Sequence, residues 1–470
     1  MEGWGLALFY YNIFVLFYFV SLNGLYLILN MVAYVNLRRY NLSKKLFSEE
    51  QIFRSEFYKP ISFLVPGYNE ESTIVDTIRS VLALRYPEYE IIAINDGSTD
   101  KTMDMLKEAF ELKVSAKDYK YDIECEKIRY IYRSVKHPNL VVIDKENGGK
   151  SDALNAGINV SRFPIFCNTD ADSVLDDGAL LRMVDPFVKD WRVIACGGTI
   201  RIANDCEIRD GQVTKVNLPK NPWARFQLVE YLRAFLFGRV GWSALNGVMI
   251  LSGAFSVFRR SAVIEAGGYS KKTVGEDMDM VLRVQKAMND KGRPYRVVFL
   301  PDPVCWTQVP EDRKSLSGQR RRWQRGLCES LFMNTEMFFN PRYKSTGIIS
   351  YPFHFFFEFL GPVIELSGYI IFILSLFLGI LNPPFIILFL TAAILLGVML
   401  SVSSIFFEVA FFRDYYRFKD IMILFLYAIL ENFGYRQLHS WWRIRGIFDF
   451  AMRKKGGWGT VARKKFNPKE

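Results

Sequence analysis

Two long apolar blocks at opposite ends of the chain constrain every other reading of it. Gly5 to Val35 carries almost no charge, and Gly361 to Phe412 forms a second block interrupted by Asn382, Pro383 and Pro384. A membrane-crossing helix needs ~20 apolar residues, so both blocks qualify and an integral membrane protein is expected. The first block exceeds the ~7 to 15 residues of a signal-peptide core and reads as a retained anchor. Four spans are expected: Leu6 to Val35, Pro362 to Leu381, Phe385 to Phe412 and Ile421 to Gly434. Asn382-Pro383-Pro384 is then an outside turn and Arg413 to Lys419 a cytosolic loop. A fourth full crossing leaves the basic tail Arg453 to Lys465 outside, against the tendency of Lys and Arg to stay on the cytosolic side. Either the stretch from Ile421 to Phe450 re-enters the same face, or one span is miscounted.

Half of the 470 residues are apolar and 16% are aromatic, enough for a full-sized core besides the spans. The formal charge of +11 gathers at Arg38-Arg39, Lys44-Lys45, Arg320 to Arg325 and Arg453 to Lys465. Such flanks favour anionic headgroups on the cytosolic side, so membrane lipids are the expected partner and nucleic acid is not. The six cysteines all lie between the apolar blocks without C-x-x-C spacing, which points to reduced cytosolic thiols rather than a zinc site or a disulfide framework.

The layout that follows is a membrane helix in residues 1–40, an α/β domain in 57–330, further membrane and interface helices in 345–450 and a basic tail in 451–470. Within the domain, Ile61 to Pro66 is a short apolar run, Thr73 to Leu84 has helical spacing and Glu90 to Ile94 is a second apolar run. Leu140 to Ile143, Ser151 to Val160 and Pro164 to Cys167 repeat the pattern. Strand, helix, strand implies parallel βαβ units and a doubly wound sheet. Ligands bind such sheets beyond the carboxyl ends of the strands. There the chain carries Gly67-Tyr68-Asn69-Glu70, Asn95-Asp96-Gly97-Ser98 and Asn168-Thr169-Asp170-Ala171-Asp172. After the domain, Gln319 to Met333 has one basic helical face, followed by the aromatic stretch Tyr351 to Phe359, an arrangement suited to the bilayer interface.

Asp170 and Asp172 stand two residues apart after an apolar strand, where they can share a hard divalent cation that also grips a diphosphate; a random surface pair is the competing explanation. Asp96 beside Gly97 suits the ring or ribose of a nucleotide, or is a plain turn aspartate. Gly148-Gly149-Lys150-Ser151 opens a helix and can face an anion, yet lacks the spacing of a P-loop. Glu276-Asp277 precedes a helix and either caps it or supplies a general base. The base reading gains weight because His137, His354 and His439 are the only histidines. Gln319-Arg320-Arg321-Arg322-Trp323 pairs fixed charge with an aromatic plane, able to hold a departing diphosphate and stack a sugar ring, or else to anchor headgroups. Ser252-Gly253 permits close approach of an acceptor, or is an ordinary turn. Glu365, Glu408, Glu431, Asn432 and Arg436 lie in or beside apolar spans, where they either line a hydrophilic path or bond between helices.

The ordered set Val65-Pro66-Gly67-Tyr68-Asn69-Glu70, Asp96-Gly97-Ser98, Lys150 to Asn155, Asp170-Ala171-Asp172, Ser252-Gly253, Glu276-Asp277 and Gln319-x-x-Arg322-Trp323 resembles the membrane-embedded family 2 glycosyltransferases. Cellulose, hyaluronan and poly-N-acetylglucosamine synthases are well-known members. The resemblance covers roughly residues 57–330, and the flanking helices in arrangement only. It implies a GT-A fold with Pro66, Tyr68, Glu70, Asp96, Lys150, Asp170 and Gln319 around a UDP-sugar. It further implies Mg²⁺ or Mn²⁺ on Asp170 and Asp172, Asp277 as base beside Glu276, Arg322 at the leaving group, and Ser252, Gly253 and Trp323 on the acceptor. The chain departs from the family pattern at Gly67, where Ala is common, and at Gly275, where Thr is frequent.

The expected activity is an inverting, processive transfer at the plasma membrane that builds a β-linked polysaccharide and carries it outward. N-acetylglucosamine is the first choice of sugar and glucose the second, with the growing polysaccharide as acceptor and accessory export subunits as candidate partners. A transferase acting once on a polyprenyl phosphate is the competing enzyme, and a transporter or scaffold with a degenerate nucleotide domain the competing class. The tail from Gly456 to Arg463 is a candidate for folding back on the site, as tails do in the resembling synthases.

Overall fold

A computed structural model describes residues 3–46, 58–116, 118–170, 173–176, 178–209, 212–412 and 417–454. Ala171, Asp172 and the tail segment Gly456 to Arg463 lie outside the described residues.

The apolar runs form the strands that their composition calls for. β1 (Ile61–Gly67) and β2 (Tyr89–Asn95) pair in parallel, and β5 (Leu140–Lys145) and β6 (Ile165–Thr169) extend the parallel centre on either side. β1 is buried along almost its whole length, as a strand covered on both faces should be. Pro66 is tolerated in this central strand because pairing with β6 ends at Leu64 opposite Asn168, so the missing N–H lies beyond that ladder. Helix α1 (Gly3–Leu46) precedes the sheet. The crossover helix α2 (Ile74–Leu82) buries Ile74, Ile78 and Val81 at helical spacing, and α3 (Thr102–Phe110) follows β2.

The full sheet has ten strands in the order β3-β4-β5-β2-β1-β6-β11-β8-β12-β7. β3 (Leu112–Ser115) and β4 (Ile128–Ser134) add an antiparallel edge. On the other side come α4 (Lys150–Val160), β7 (Val174–Leu175), α5 (Ala179–Lys189) and β8 (Val193–Ile202), then a small hairpin of β9 (Glu207–Arg209) and β10 (Gln212–Lys215). α6 (Pro222–Arg233), a π-helical turn Ala234–Arg239 and α7 (Val240–Ala244) lead to β11 (Phe255–Arg259), which inserts antiparallel between β6 and β8. α8 (Arg260–Glu265), α9 (Glu276–Asp290), β12 (Arg296–Thr307) and α10 (Arg313–Met333) complete the domain. All six cysteines are free thiols.

Among the described residues, two helices are long and apolar enough to cross a membrane, Gly3–Leu42 within α1 and α12 (Pro383–Phe412). The stretch Thr346–Phe359 and α11 (Gly361–Phe377) form a bent pair, turned by 41°, that makes a third if taken as one span. The expected fourth span does not form. α13 (Phe418–Leu430) has 13 residues, and the chain breaks at Phe433 and at Gly434, whose φ is 102°, before α14 (Arg436–Ala451). At ~1.5 Å per residue such a helix falls well short of a hydrocarbon core ~30 Å thick.

The membrane-side helices are fastened to the sheet domain by buried charge. Arg201 of β8 pairs with Glu408 at 2.6 Å and Arg233 of α6 with Glu431 at 2.5 Å, while Arg320 of α10 pairs with Glu230 of α6 at 2.8 Å within the domain. Ser401 also donates to Glu431, and Tyr435 to Glu230. Glu408 and Glu431 are thus bonded between elements, while Glu365 accepts from Ser440 and Asn432 from Arg436. Glu365, Glu408 and Glu431 therefore each bond to another element, while Asn432 and Arg436 bond to each other within one turn.

Candidate active site

The site forms where β1, β2 and β6 end and the loops before β11 and α9 meet them. The first two strand ends are laced together: Asn69, held at φ 56°, accepts from the Thr99 N–H at 2.8 Å and donates its own N–H to Ser98 at 3.0 Å. Glu70 accepts from Thr73 at 2.6 Å, and its N–H donates to Thr102. Tyr68 is left exposed at the mouth, with Pro66 half-buried behind it.

Asp96 is buried rather than open. Its Oδ1 accepts from Lys145 Nζ at 2.5 Å and from the Gly148 N–H at 3.1 Å, and its Oδ2 from the Gly149 N–H at 2.7 Å. The carboxylate therefore pins the loop that opens α4, where Gly149 takes a φ of 86° that side chains disfavour. Lys145 bridges to Asp152 at 2.6 Å, and Asp152 reaches Lys271 at 2.5 Å. Burial works to raise Asp152, but these two lysines and the Glu126 N–H outweigh it and hold the carboxyl below its usual range. The sequence reading missed Lys145; the available signal was a lysine ending an apolar, almost wholly buried strand.

Lys150 opens α4 and joins the third strand end to α9. Its Nζ lies 2.6 Å from Asp170 and 3.3 Å from Glu276. Burial acts to lower its pKa, yet the two carboxylates prevail and the ammonium is held above the ordinary lysine range. Gly253 sits against all of these groups: a Cβ there would stand 3.4 Å from Lys150 Nζ and 3.8 Å from both Asp277 Cβ and Glu276 Oε1. Ser252 turns its hydroxyl inward to the Ala254 N–H at 3.3 Å, and Asn168 donates to the Gly253 carbonyl at 3.3 Å. Lys150, Asp170, Gly253, Glu276 and Asp277 thus converge from four separate segments.

Asp277 lies in the first turn of α9, where its Oδ1 accepts from the Met278 N–H at 2.9 Å. Loss of hydration and the Glu276 charge push it up to about 6, while that N–H, Lys150 and Arg239 pull the other way. A carboxylate so poised is fitted to exchange a proton near neutral pH.

α10 runs past this turn. Gly275 and Gly326 touch backbone to backbone, and the Val274 N–H donates to Glu329 at 2.8 Å. One turn upstream, Trp323 is 45% exposed with the Arg320 guanidinium stacked 4.3 Å over its ring. The basic run is divided among intramolecular partners: Arg320 on Glu230, Arg321 on Asp449 at 2.6 Å and Arg325 on Glu329 at 2.6 Å. Arg322 is half-buried, and the Gln319 amide oxygen is buried with no hydrogen-bond partner among the described residues. Arg239 is a second residue the sequence reading missed; a lone charge in the run Ala-Phe-Leu-Phe-Gly-Arg was its signal.

For a metal, Asp170 is 31% exposed on its side chain with one oxygen on Lys150, a donor set compatible with a hard cation bridging to a diphosphate. No group of three or more His, Cys, Asp or Glu side chains able to hold a metal occurs among the described residues, which do not include Asp172.

A parallel-centred sheet with acidic strand ends and one antiparallel inserted strand defines a GT-A-like α/β fold. The chain belongs to glycosyl transferase family group 2, whose model matches residues 168–405, and the model of glycosyl transferase family 2 matches residues 62–267. It is 30% identical over 321 residues to the poly-beta-1,6-N-acetyl-D-glucosamine synthase of Staphylococcus epidermidis, covering 68% of this chain and 66% of that one. The synthase of the same name from Staphylococcus aureus is 30% identical over 322 residues with the same coverage. The chain thus spans 66% of the length of these relatives. Among solved structures it is similar to the mannosyltransferase PcManGT from Pyrobaculum calidifontis, in complex with GDP-Man and Mn²⁺. That likeness has a TM-score of 0.50 at 16% identity, over 92% of this chain and 100% of the other, and supports the fold alone.

Proposed function

We propose that the chain is an inverting glycosyltransferase that polymerises N-acetylglucosamine from its UDP-sugar into a β-linked polysaccharide. The observation that carries the chemistry is the convergence of Asp277, Glu276, Lys150 and Asp170 around Gly253. The choice of sugar rests on the similarity to the poly-beta-1,6-N-acetyl-D-glucosamine synthases. In one displacement, an acceptor hydroxyl gives its proton to Asp277, its oxygen bonds to the anomeric carbon, and the bond from that carbon to the diphosphate breaks with its electron pair leaving on oxygen. Inversion turns an α-linked donor into a β-linked product.

Lys150 and Arg322 balance the charge that builds on the departing diphosphate. Asp170 and Asp172 would hold Mg²⁺ or Mn²⁺, which when bound adds positive charge against the same oxygens. Tyr68, Glu70, Pro66 and Asp96 frame the nucleotide with Gln319, while Ser252, Gly253 and Trp323 flank the acceptor. Membrane orientation follows from parity: three crossings, with the bent pair counted as one, put the transferase domain and the basic tail on the same, cytosolic side. Outward passage of the product belongs to this same reading.

The test uses purified full-length protein in lipid with Mg²⁺ or Mn²⁺ and labelled UDP-sugars, a chelator arm, and Asp277→Asn as blank. High-polymer product from UDP-N-acetylglucosamine is expected. Label found only in extractable lipid would replace the polymerase with a single transfer to polyprenyl phosphate, and full activity in Asp277→Asn would overturn the assignment of the base.

A further inference from the structure

Helix α4 carries a polar stripe on a buried face. Asp152, Asn155 and Asn159 stand at i, i+3 and i+7, which puts them on one side of a helix, and their exposures are 0%, 3% and 2%. A buried polar group needs a partner, and each of the three finds its partners in segments remote in sequence. Asn159 accepts from the Asp122 and Ile123 N–H groups at 3.1 and 2.9 Å and donates to the Ile123 carbonyl at 2.7 Å. Asp152 accepts from the Glu126 N–H with both oxygens at 3.0 Å and reaches Lys271 at 2.5 Å. Asn155 meets the Tyr269 backbone edge to edge: its Oδ1 accepts from the Tyr269 N–H at 2.7 Å and its Nδ2 donates to the Tyr269 carbonyl at 3.0 Å, with a longer bond to the Glu124 carbonyl at 3.3 Å. Gly267 and Gly268, at φ of 79° and 72°, let the chain come this close, since a Cβ on Gly268 would stand 2.7 Å from Asn155 Oδ1.

Tyr269 and Lys271 belong to the loop that runs from Gly267 to Gly275 and delivers Glu276 and Asp277 at the first turn of α9. At its own start α4 holds Lys150 against Asp170 and Glu276, and Asp152 is linked through Lys145 to Asp96. One helix therefore touches both the donor side of the crevice and the loop that leads to the base. We propose that Asn155 is a positioning residue for the transfer step: its paired bonds to the Tyr269 backbone, with the Asp152–Lys271 ion pair beside them, fix the base loop relative to the diphosphate end of the crevice. The proposal rests on Asp277 being the base. The far end of the loop is held by α10 through Glu329 and Gly326, so the ties from α4 set its near end. Asn159 has the same burial without the same duty, because among the described residues it bonds the segment from Asp122 to Cys125 and not the base loop.

The experiment measures kcat, KM for UDP-N-acetylglucosamine and Tm of the full-length protein in lipid, comparing wild type with Asn155→Ala, Asn159→Ala, Lys271→Met, Lys271→Arg and Asp277→Asn. Asn155→Ala and Asn159→Ala remove similarly buried amides, so both should lower Tm. Asn155→Ala alone should also lower kcat, by about ten- to hundredfold with KM little changed, the range expected when a reacting group sits up to ~1 Å out of place. Lys271→Met gives an answer even where Asn155→Ala fails to fold, because the lysine side chain is 40% exposed and Asp152 keeps Lys145. It should lose about threefold or more in kcat, and Lys271→Arg should restore it. Indistinguishable kcat in Asn155→Ala and Asn159→Ala, or wild-type kcat in Lys271→Met, would mean that the stripe only supports the fold, and overturns the proposal. Full activity in Asp277→Asn would remove the base reading and the proposal with it, whereas a failure confined to Asn155 and Lys271 leaves the base standing.

Discussion

At the scale of single residues the decisive feature is Asp277, whose carboxyl is pushed up to about 6 by lost hydration and by Glu276. A base must be deprotonated to accept a proton, so activity should fall as pH drops through about 6 and level off above it. Asp277→Asn should lose about 10²- to 10⁴-fold in kcat at every pH, since that is the usual contribution of a general base. Steady-state rates with a labelled donor check both. Lys145 gives a contrasting case. It is fully buried between Asp96 and Asp152, so Lys145→Met leaves Asp96 without its cation and Asp152 with Lys271 alone. Breaking a buried pair this way costs about 3 to 5 kcal/mol. Thermal unfolding in detergent should show a marked drop, and the surviving folded protein a raised KM for donor, because the Gly148–Gly149 loop loses the anchor that orients it.

Among elements, the contact between the start of α9 and the middle of α10 sets the distance from the base to the Gln319-x-x-Arg322-Trp323 segment. Two glycines make that contact, and a Cβ on Gly275 would stand 2.8 Å from Gly326 Cα and 2.9 Å from its carbonyl carbon. Backbone cannot swing aside as a side chain can, so Gly275→Ala should force the helices apart, at about 1 to 3 kcal/mol of overpacking. A lower Tm together with a fall in kcat is the expected result, and an unchanged kcat would separate this contact from the chemistry. The same contact explains why Gly stands here instead of the Thr frequent in the family. α14 has a related duty, since Gly446 lies against the backbone of Arg321 and Asp449 holds the Arg321 side chain. α14, which follows the expected fourth span, thus braces α10.

Over the whole molecule, the sheet domain and the apolar helices are joined by an ion pair buried on both sides. Arg201 and Glu408 are 1% and 0% exposed on their side chains. Glu408→Ala leaves the Arg201 charge stranded in the interface and should cost about 3 to 5 kcal/mol, whereas replacing both residues by apolar ones of similar size should recover much of that loss. Unfolding of the two variants in micelles distinguishes a registering role from simple adhesion. On the proposed outward passage of the product, such ties would keep the crevice and the spans in one fixed relation.

The sequence alone determined the apolar blocks, the parallel strand–helix–strand units and the acidic strand ends, since each is written in a local period or a local run: apolar length, alternation of strand and helix, and Asp or Glu just past a buried strand. It also singled out Lys150, Asp170, Gly253, Glu276 and Asp277, which the fold brings together. Only the tertiary structure decided that α13 stops short of a crossing, because a 13-residue helix followed by a break at Gly434 looks in sequence like any other apolar stretch. It alone revealed Lys145 beneath Asp96, and it divided the arginines of α10 among Glu230, Asp449 and Glu329. Those assignments depend on which distant carboxylate lies within a few ångströms, and Coulomb energy at that range is set by packing across the chain, not by neighbours along it.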